Sequence, residues 1–464
     1  MARSLAETPG TLRPLVWLSL PVLVEQLLHL LVGLVDLWLT GNYLPGDSFV
    51  AAMTLVLYLS WLLNMSFSFI ASGATPLTAR FTGAGDPELA NRAMNQSFTL
   101  GLGLAAALMV IGFAAVEPGV RLMGLEGESA DAAARYLRIT LCVLPAIMVE
   151  RVGVACLRGA GDTRSGLFTM AIVNAVNVGV SYALVSGVCG LPQLGWDGVA
   201  IGTAAGHITG GVILVALLVG GRAGYRLRIS SMRPDRDMMR RLLKIGVPGG
   251  LDAVLLVICN LVYLRIVLQL GDVAAAAHGV AIQIEALAYM PGGAFQIAAA
   301  TMAGQYLGAG DPKRATRSVL VACAAASILM SAMGVLFFVD AERLVDFFLD
   351  EKPEVAPLAA QLLRVMSLAM LPLAVAMVLI GGMRGAGDTR WPLAFTLIGF
   401  GLVRIPLALV LTPEVVTIPI LGLTFAGAGM GAVGAWCGAV LDIFLRCFLL
   451  VGRFWQGGWR SISV

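Results

Sequence analysis

Charge is the first thing this 464-residue chain lacks. Only 13% of its residues are Asp, Glu, Lys or Arg, where a soluble domain carries about 25%, so a water-facing globule is excluded. Histidine occurs three times in three separate apolar stretches, and neither HExxH nor GxSxG is present. Enzyme chemistry is left without a constellation. The seven cysteines (Cys142, Cys156, Cys189, Cys259, Cys323, Cys437 and Cys447) show no CxxC or other metal-ligand spacing. They read as small packing residues, and no cofactor is expected. The glycine-rich loops lack the Lys-Ser/Thr pair of a nucleotide-cradling loop. The N-terminus "MARSLAETPGTLRP" lacks the apolar core and small-residue cleavage site of a secretory signal, so the first apolar segment is expected to stay in the protein.

What the chain has instead is apolar length. Apolar residues make up 58% of it, and several stretches exceed the roughly 20 residues a helix needs to cross a bilayer. Breaks at Gly, Pro and charge clusters predict twelve spans near 15–40, 48–75, 92–116, 135–157, 165–187, 198–220, 242–270, 274–302, 315–339, 356–381, 391–412 and 431–453. The fold class is therefore an all-α polytopic membrane protein. Lys and Arg orient it: Arg3 and Arg13 at the N-terminus, then Arg80 and Arg92, Arg158 and Arg164, and Lys313, Arg314 and Arg317. Arg384 and Arg390 follow, with Arg453 and Arg460 in the tail, while the most basic stretch runs from Arg222 to Lys244. The first, fifth and eleventh connections carry no Lys or Arg. Even connections and both termini are expected on the cytoplasmic side. The central basic run suits a linker at a lipid surface, and no nucleic-acid partner is expected.

The chain also repeats itself. "LRGAGDTR" (Leu157 to Arg164) returns as "MRGAGDTR" (Met383 to Arg390), and "GAGDP" occurs at Gly83 to Pro87 and at Gly308 to Pro312. "LSLPVLVEQLL" (Leu18 to Leu28) aligns with "IGVPGGLDAVL" (Ile245 to Leu255). Six is an even number of spans, so the halves run parallel, as in transporters that rock two repeats around a shared site. The expected architecture is two six-helix pseudo-symmetric lobes around a central cleft: an N-lobe over 1–220, a basic cytoplasmic linker over 221–241 and a C-lobe over 242–464. The octets read as turns between helices. Their glycines suit a helix ending, Asp162 and Asp388 can cap the next helix, and the flanking arginines are expected at the lipid headgroups.

Ionisable residues inside spans are costly and functional by default. The first span holds Glu25 and Asp36, eleven residues apart and on nearly one face, with Gln26 and His29 beside them. Glu25 lies early in the span, where it can equally be an anchor near the membrane surface. Asn174, Asn177 and Ser181 form a stripe on the fifth span that serves either a site or interhelical packing. Thr203 and His207 stand i,i+4 on the sixth, His207 being as well explained by packing. In the second half, Asp252 occupies the repeat position of Glu25, and Glu285 is flanked by Gln283 and Tyr289. Asp442 and Arg446 read as a mutual ion pair, and Glu150 and Arg151, near Arg158, as a local charge network. A low-dielectric surrounding disfavours a charged carboxylate, so an acid there can take up and release a proton. Asp36, Glu25 and Glu285, then Asp252, are the candidates for coupling to an ion. Gln26, Gln283, Tyr289 and His207 are candidates for a substrate cleft.

These features together resemble the multidrug and toxic compound extrusion (MATE) family over nearly the whole chain. The resemblance is carried by "LPVLVEQLLHLLVGLVD" in the first span, the paired "RGAGDTR" loops, "TARFTGAGDP" with "GQYLGAGDP", "GVAIGT" in the sixth span and "VRIP" (Val403 to Pro406). It implies a twelve-helix, two-lobed fold that exports cationic or amphipathic compounds in exchange for H⁺ or Na⁺. Asp36, Asn177 and Thr203 match the residues of the family's N-lobe cation site, where a Na⁺ would be held. Ser181 stands where one branch has an aspartate. Leu256 and Leu373 stand where another branch has C-lobe carboxylates, a role that Glu285 and Asp252 would share. H⁺ is favoured over Na⁺. The expected setting is a bacterial inner membrane, with the lipid bilayer and small amphipathic or cationic substrates as partners of a monomer. The alternatives are a flippase for lipid-linked saccharides, which would want an Arg/Lys-rich cavity, and, from another class, a channel or non-transporting receptor.

Overall fold

The computed structural model describes residue 5 and residues 8–349, 354–418 and 423–462; Arg3 and the side chain of Cys189 lie outside the described residues. Each expected span is helical: α1 Leu12–Tyr43, α2 Asp47–Gly83, α3 Pro87–Leu122, α4 Gly127–Cys142 with Leu144–Gly159, α5 Arg164–Ser186 and α6 Trp196–Val219. The second half holds α7 Arg236–Leu268, α8 Asp272–Gly308, α9 Pro312–Val339, α10 Ala356–Ser367 with Met370–Gly385, α11 Arg390–Leu411 and α12 Gly431–Gln456. Ten of these are long and apolar enough to cross a membrane, twelve when each bent pair counts as one span. The protein is a multi-pass membrane protein. One feature departs from an all-helical reading: Val415–Ile418 and Leu423–Ala426 pair antiparallel in the α11–α12 connection.

The repeats reappear in the backbone. Both α4 and α10 bend by 56° at a short break, and Pro145 and Pro372 follow the breaks, where the missing N–H and the ring's bulk interrupt the helical ladder. Asp86 accepts from the N–H of Leu89 at 2.9 Å and Asp311 from that of Arg314 at 2.8 Å, capping α3 and α9 in the same way. Gly85, Gly310, Gly161 and Gly387 adopt φ of +69°, +74°, +87° and +90°, a left-handed conformation that residues with a Cβ resist.

The octet charges are placed differently from the expectation. Arg158 and Arg384 turn inward, Arg158 to Glu25 at 2.9 Å and Arg384 to Asp252. A snorkelling arginine keeps its head in water only where no buried acid is within reach, and here an acid of α1 or α7 faces each one. Arg164 lies over the Trp17 ring at 4.0 Å. Asp162 does accept from the Ser165 N–H, at 3.1 Å, and is also bound by Arg222 at 2.6 Å. Burial alone would raise the Asp162 carboxyl, but Arg222 and Ser165 outweigh it and hold it below its ordinary value. Among the described residues Asp388 caps no helix; its Oδ2 pairs with Arg453 at 2.9 Å.

The halves meet along α1, α2, α7 and α8. At the end carrying the GAGD loops, the seam is close backbone contact. A Cβ at Gly83 would collide with the carbonyl of Gln305, and one at Gly308 with that of Arg80, its repeat counterpart. Across the same seam, Gln305 donates to the Gly159 carbonyl at 2.8 Å and Thr301 to the Arg158 carbonyl at 3.0 Å. Toward the opposite end the halves separate around a cavity of about 670 Å³, lined by Tyr58 and Trp61 of α2 and by residues of α7, α8, α11 and α12.

Candidate functional site

Four helices converge on Asp36, an acid 1% exposed in the C-terminal half of α1. Thr203 of α6 donates to its Oδ2 at 2.7 Å, Tyr136 of α4 to the same oxygen at 2.8 Å, and Asn177 of α5 to Oδ1 at 3.2 Å. Asn177 also donates to the Thr203 hydroxyl at 2.9 Å. No Lys, Arg or His pairs with this carboxylate among the described residues. A buried carboxylate served only by neutral donors is costly to keep charged unless its bonds are good or a cation arrives. Asn177 Oδ1 is a buried acceptor with no hydrogen-bond partner. The group can therefore take a proton on Asp36, or hold a small cation among the oxygens of Asp36, Asn177 and Thr203.

Small residues bring these helices together. A Cβ at Gly202 would press on the backbone of Ser181, so α5 and α6 cross closely enough for Asn177 and Thr203 to reach one carboxylate. The Trp196 ring lies 5.7 Å from that of Tyr136 and donates its Nε1–H to the Ala132 carbonyl at 2.8 Å. Tyr136 was not among the residues singled out from sequence. Its signal was faint, a single tyrosine after Ala132, Ala133 and Ala134 on a buried face.

The other sequence candidates lie elsewhere. Ser181 is not part of the Asp36 group; it contacts the Val199 carbonyl at 3.4 Å because Gly202 packs on it. Asn174 donates to the carbonyls of Leu28 at 3.0 Å and Met170 at 2.9 Å, which is interhelical packing. Glu25 and Asp252 are each held by an octet arginine, as described above, rather than beside Asp36. His207 does not line the cleft: its Nδ1 sits 2.7 Å from Glu150, inside the N-half. The Glu150–Arg151–Arg158 cluster expected from sequence lines one small pocket with Glu25 and His29, although the hydrogen bond of Arg151 goes to Asn64 at 3.0 Å. Gln26 packs against Gly293 of α8. Gln283 is exposed and outside the cavity lining.

The large cavity gathers the second-half candidates. Glu285 and Tyr289 of α8 line it with Tyr263, His278, Arg404 and Trp436. Trp436 donates to His278 Nδ1 at 3.1 Å. Arg404 binds Asp442 at 2.9 Å, and Arg446 binds the other oxygen of Asp442 at 2.8 Å. The expected Asp442–Arg446 pair is thus a three-member cluster. A widened π turn over Gly399–Arg404 aims Arg404 at it, the kind of local insertion that redirects a side chain within a helix. The lining is mainly apolar and aromatic, with one acid and one arginine already engaged. Such a surface takes an amphipathic molecule better than a polyanion.

Comparison with known proteins agrees with the duplicated helical fold. The MatE family model matches twice, over residues 21–183 and 248–410, so the two matches start 227 residues apart, the spacing of the helix repeats. A probable multidrug resistance protein NorM of Thermotoga maritima is 26% identical over 463 residues, covering 99% of this chain and 95% of the relative. Another from Bradyrhizobium diazoefficiens is 28% identical over 455 residues, covering 94% and 91%. The multidrug resistance protein MdtK of Pectobacterium atrosepticum is 25% identical over 446 residues, covering 95% and 94%. Among solved structures, the outward-facing conformation of a multidrug resistance MATE transporter superposes with a TM-score of 0.85 at 19% identity, covering 97% of both chains. A MATE structure in a bent conformation gives 0.86 at 19% identity with the same coverage.

Proposed function

The chain belongs to the MatE family, and we propose that it is a secondary active antiporter that exports amphipathic or cationic compounds in exchange for H⁺. The observation that carries this reading is the Asp36 group, a buried carboxylate held by three neutral donors with no resident counter-charge. Substrate enters the cleft between the lobes from the cytoplasm or the inner leaflet. The mainly apolar cavity beside Glu285 and Trp436 receives it. A proton from outside then neutralises Asp36, α1 bends or repacks near Pro21, and the compound leaves outward. Ion and substrate must differ in their affinity for the two states, otherwise no exchange results.

The conformation described is closed at the loop end, which by the positive-inside rule faces the cytoplasm, and open at the other. It corresponds to the state awaiting the ion. A Na⁺-coupled exchange is the second reading, and the unpartnered Asn177 Oδ1 is the observation in its favour. A saccharide-lipid flippase is disfavoured because Arg404 and Arg446 are already bound to Asp442, leaving little positive charge for a pyrophosphate.

The test is efflux of a fluorescent cation from vesicles under an imposed pH or Na⁺ gradient, wild type beside Asp36→Asn and Glu285→Gln. Asp36→Asn should abolish ion-driven export while the protein stays in the membrane. Glu285→Gln should weaken export of cations more than of neutral compounds. Undiminished export by Asp36→Asn would remove the basis of the reading. Export driven by Na⁺ alone would replace H⁺ by Na⁺.

A further inference from the structure

A duplicated chain carries its own control: what one half adds to the elements that both halves keep points to a role of that half. Both halves keep the acid–arginine pair, Glu25 with Arg158 and Asp252 with Arg384. The half containing Asp36 adds His29, Glu150, Arg151 and His207. At the repeat spacing the first three positions are Leu256, Ala376 and Met377, and aligning Gly198 with Gly431 places Val440 opposite His207. Asp36 itself is matched by Tyr263. The added ionisable groups thus accompany the Asp36 site and are absent where it is absent.

They also surround one space. Glu25, His29, Glu150, Arg151, Arg158 and Thr169 line a small cavity of about 40 Å³ in the first lobe. Glu150 Oε1, Arg158 Nε and Thr169 Oγ1 are buried with no hydrogen-bond partner. A polar cavity needs only about 10–15 Å³ to hold a water that satisfies such atoms, so this one has room for water. Glycines make room for its carboxylates. A Cβ at Gly210 would collide with Glu150 and one at Gly166 would lie 2.8 Å from Glu25 Oε2.

The chamber connects two places the fold keeps apart. On one side Glu150 Oε2 meets His207 Nδ1 at 2.7 Å. His207 stands one turn along α6 from Thr203, about 6 Å of rise, and Thr203 donates to Asp36. On the other side Glu25 sits 3.8 Å from His29 and 2.9 Å from Arg158 at the mouth of the octet loop. We propose that this chamber, filled with water, is the route by which the coupling proton passes between Asp36 and the cytoplasmic loop end. This proposal rests on the H⁺ reading above. The proton leaves the Asp36 carboxyl, is taken by the His207 imidazole, and passes from Nδ1 to Glu150. Chamber water carries it to Glu25 and His29 and releases it beside Arg158. The incoming proton goes on Nε2 as Nδ1 gives up its own, so His207 is left as the Nε2–H tautomer and regains Nδ1–H by tautomer exchange before the next proton arrives, while Asp36, Glu150 and Glu25 each end as the carboxylate. Arg151 and Arg158 stay charged throughout and keep Glu25 and Glu150 from trapping the proton.

The experiment uses the full chain in proteoliposomes containing a pH-sensitive dye, with substrate-driven H⁺ movement followed in H₂O and in D₂O. Wild type should move protons on substrate addition. Glu150→Gln and His207→Gln should bind substrate with unchanged affinity yet move protons at least tenfold more slowly, with a larger solvent isotope effect than wild type. Proton movement at the wild-type rate in both variants would overturn the route. Should those variants not fold, Thr169→Val leaves every ion pair in place while drying one wall. It should slow proton movement and raise the isotope effect, and an unchanged rate there overturns the route equally. A wild type that moves Na⁺ and no protons defeats the H⁺ reading and the route with it, a result separable from a wild type that moves protons through unaffected variants.

Discussion

Replacing Arg384 by Gln tests whether the inward-facing octet arginines hold the lobes together. Asp252 is 2% exposed and, among the described residues, its charged partner is Arg384 while its Oδ1 has no hydrogen-bond partner. Removing the guanidinium leaves a buried carboxylate uncompensated, which costs about 3–5 kcal/mol, or roughly two to four powers of ten in the folded-to-unfolded ratio. Asp252→Asn added to Arg384→Gln removes the charge that was stranded, so the double variant should regain most of the loss. Reversible unfolding in mixed micelles of dodecyl maltoside and SDS, run on wild type, both single variants and the double, gives the coupling energy directly. A value above about 0.5 kcal/mol is expected for partners in contact. The same cycle on Glu25 and Arg158 should give the same sign. Simple additivity in either half, with the double variant as unstable as the summed singles, would refute the claim that these pairs are closed ion pairs of the scaffold.

Two further outcomes follow from the loop end. A side chain at Gly83, as in Gly83→Leu, meets the Gln305 backbone and should cost the closed seam about 1–3 kcal/mol, shifting the population roughly five- to a hundredfold toward the open state. A cysteine placed at Thr301 should then become reactive to an impermeant maleimide from the loop side, and unchanged labelling would contradict the seam. Arg222→Gln removes the partner that holds Asp162 below its ordinary value. Arg222 is 49% exposed, so screening limits the loss to about 1 kcal/mol or less. A depressed carboxyl stabilises above its unfolded value, near 3.9, and that contribution fades as pH falls through the folded one. The stability gap between wild type and Arg222→Gln, measured by unfolding across pH 3 to 7, should therefore be widest at neutral pH and close in acid; a gap that stays constant with pH would exclude the ion pair as its cause.

Periodicity and punctuation were enough to locate the spans because membrane helices must be long, apolar and closed by polar turns, and each of these leaves a mark in one dimension. The acid of the site was visible for the same reason, since Asp36 interrupts an otherwise apolar helix. Its surroundings were not. Ser181 and Thr203 look equally suitable on paper, and only the packing of Gly202 on α5 decides that one reaches Asp36 and the other does not. Tyr136 was hidden because a tyrosine in a half-apolar helix has many uses. The first arginine of each octet pointed the wrong way in the sequence reading because snorkelling and pairing draw on the same side chain, and which wins depends on an acid from a helix more than a hundred residues away.

The fourfold use of one loop motif follows from the separate demands on its letters. The first glycine is a contact: Gly83 and Gly308 touch carbonyls across the seam, Gly159 touches Thr78, and Gly385 touches the Ala300 carbonyl. The second glycine is a conformation, left-handed in all four loops. The aspartate is a tie, capping a helix in the "GAGDP" loops and, in the octets, holding an arginine at the end of its own half, Arg222 just after α6 and Arg453 in the last turn of α12. Substituting any one letter breaks a different constraint, so the motif tolerates little variation for reasons that concern architecture alone. A joint specified this closely in both halves cannot by itself distinguish one lobe from the other. The distinction has to come from positions where the halves differ, and the sharpest of these is Asp36 against Tyr263. One half holds a carboxylate that can exchange an ion, with a polar chamber behind it; the other presents an aromatic wall to the cavity. The proposed exchange would use both surfaces, and a duplicated fold supplies them by letting equivalent positions diverge around an unchanged joint.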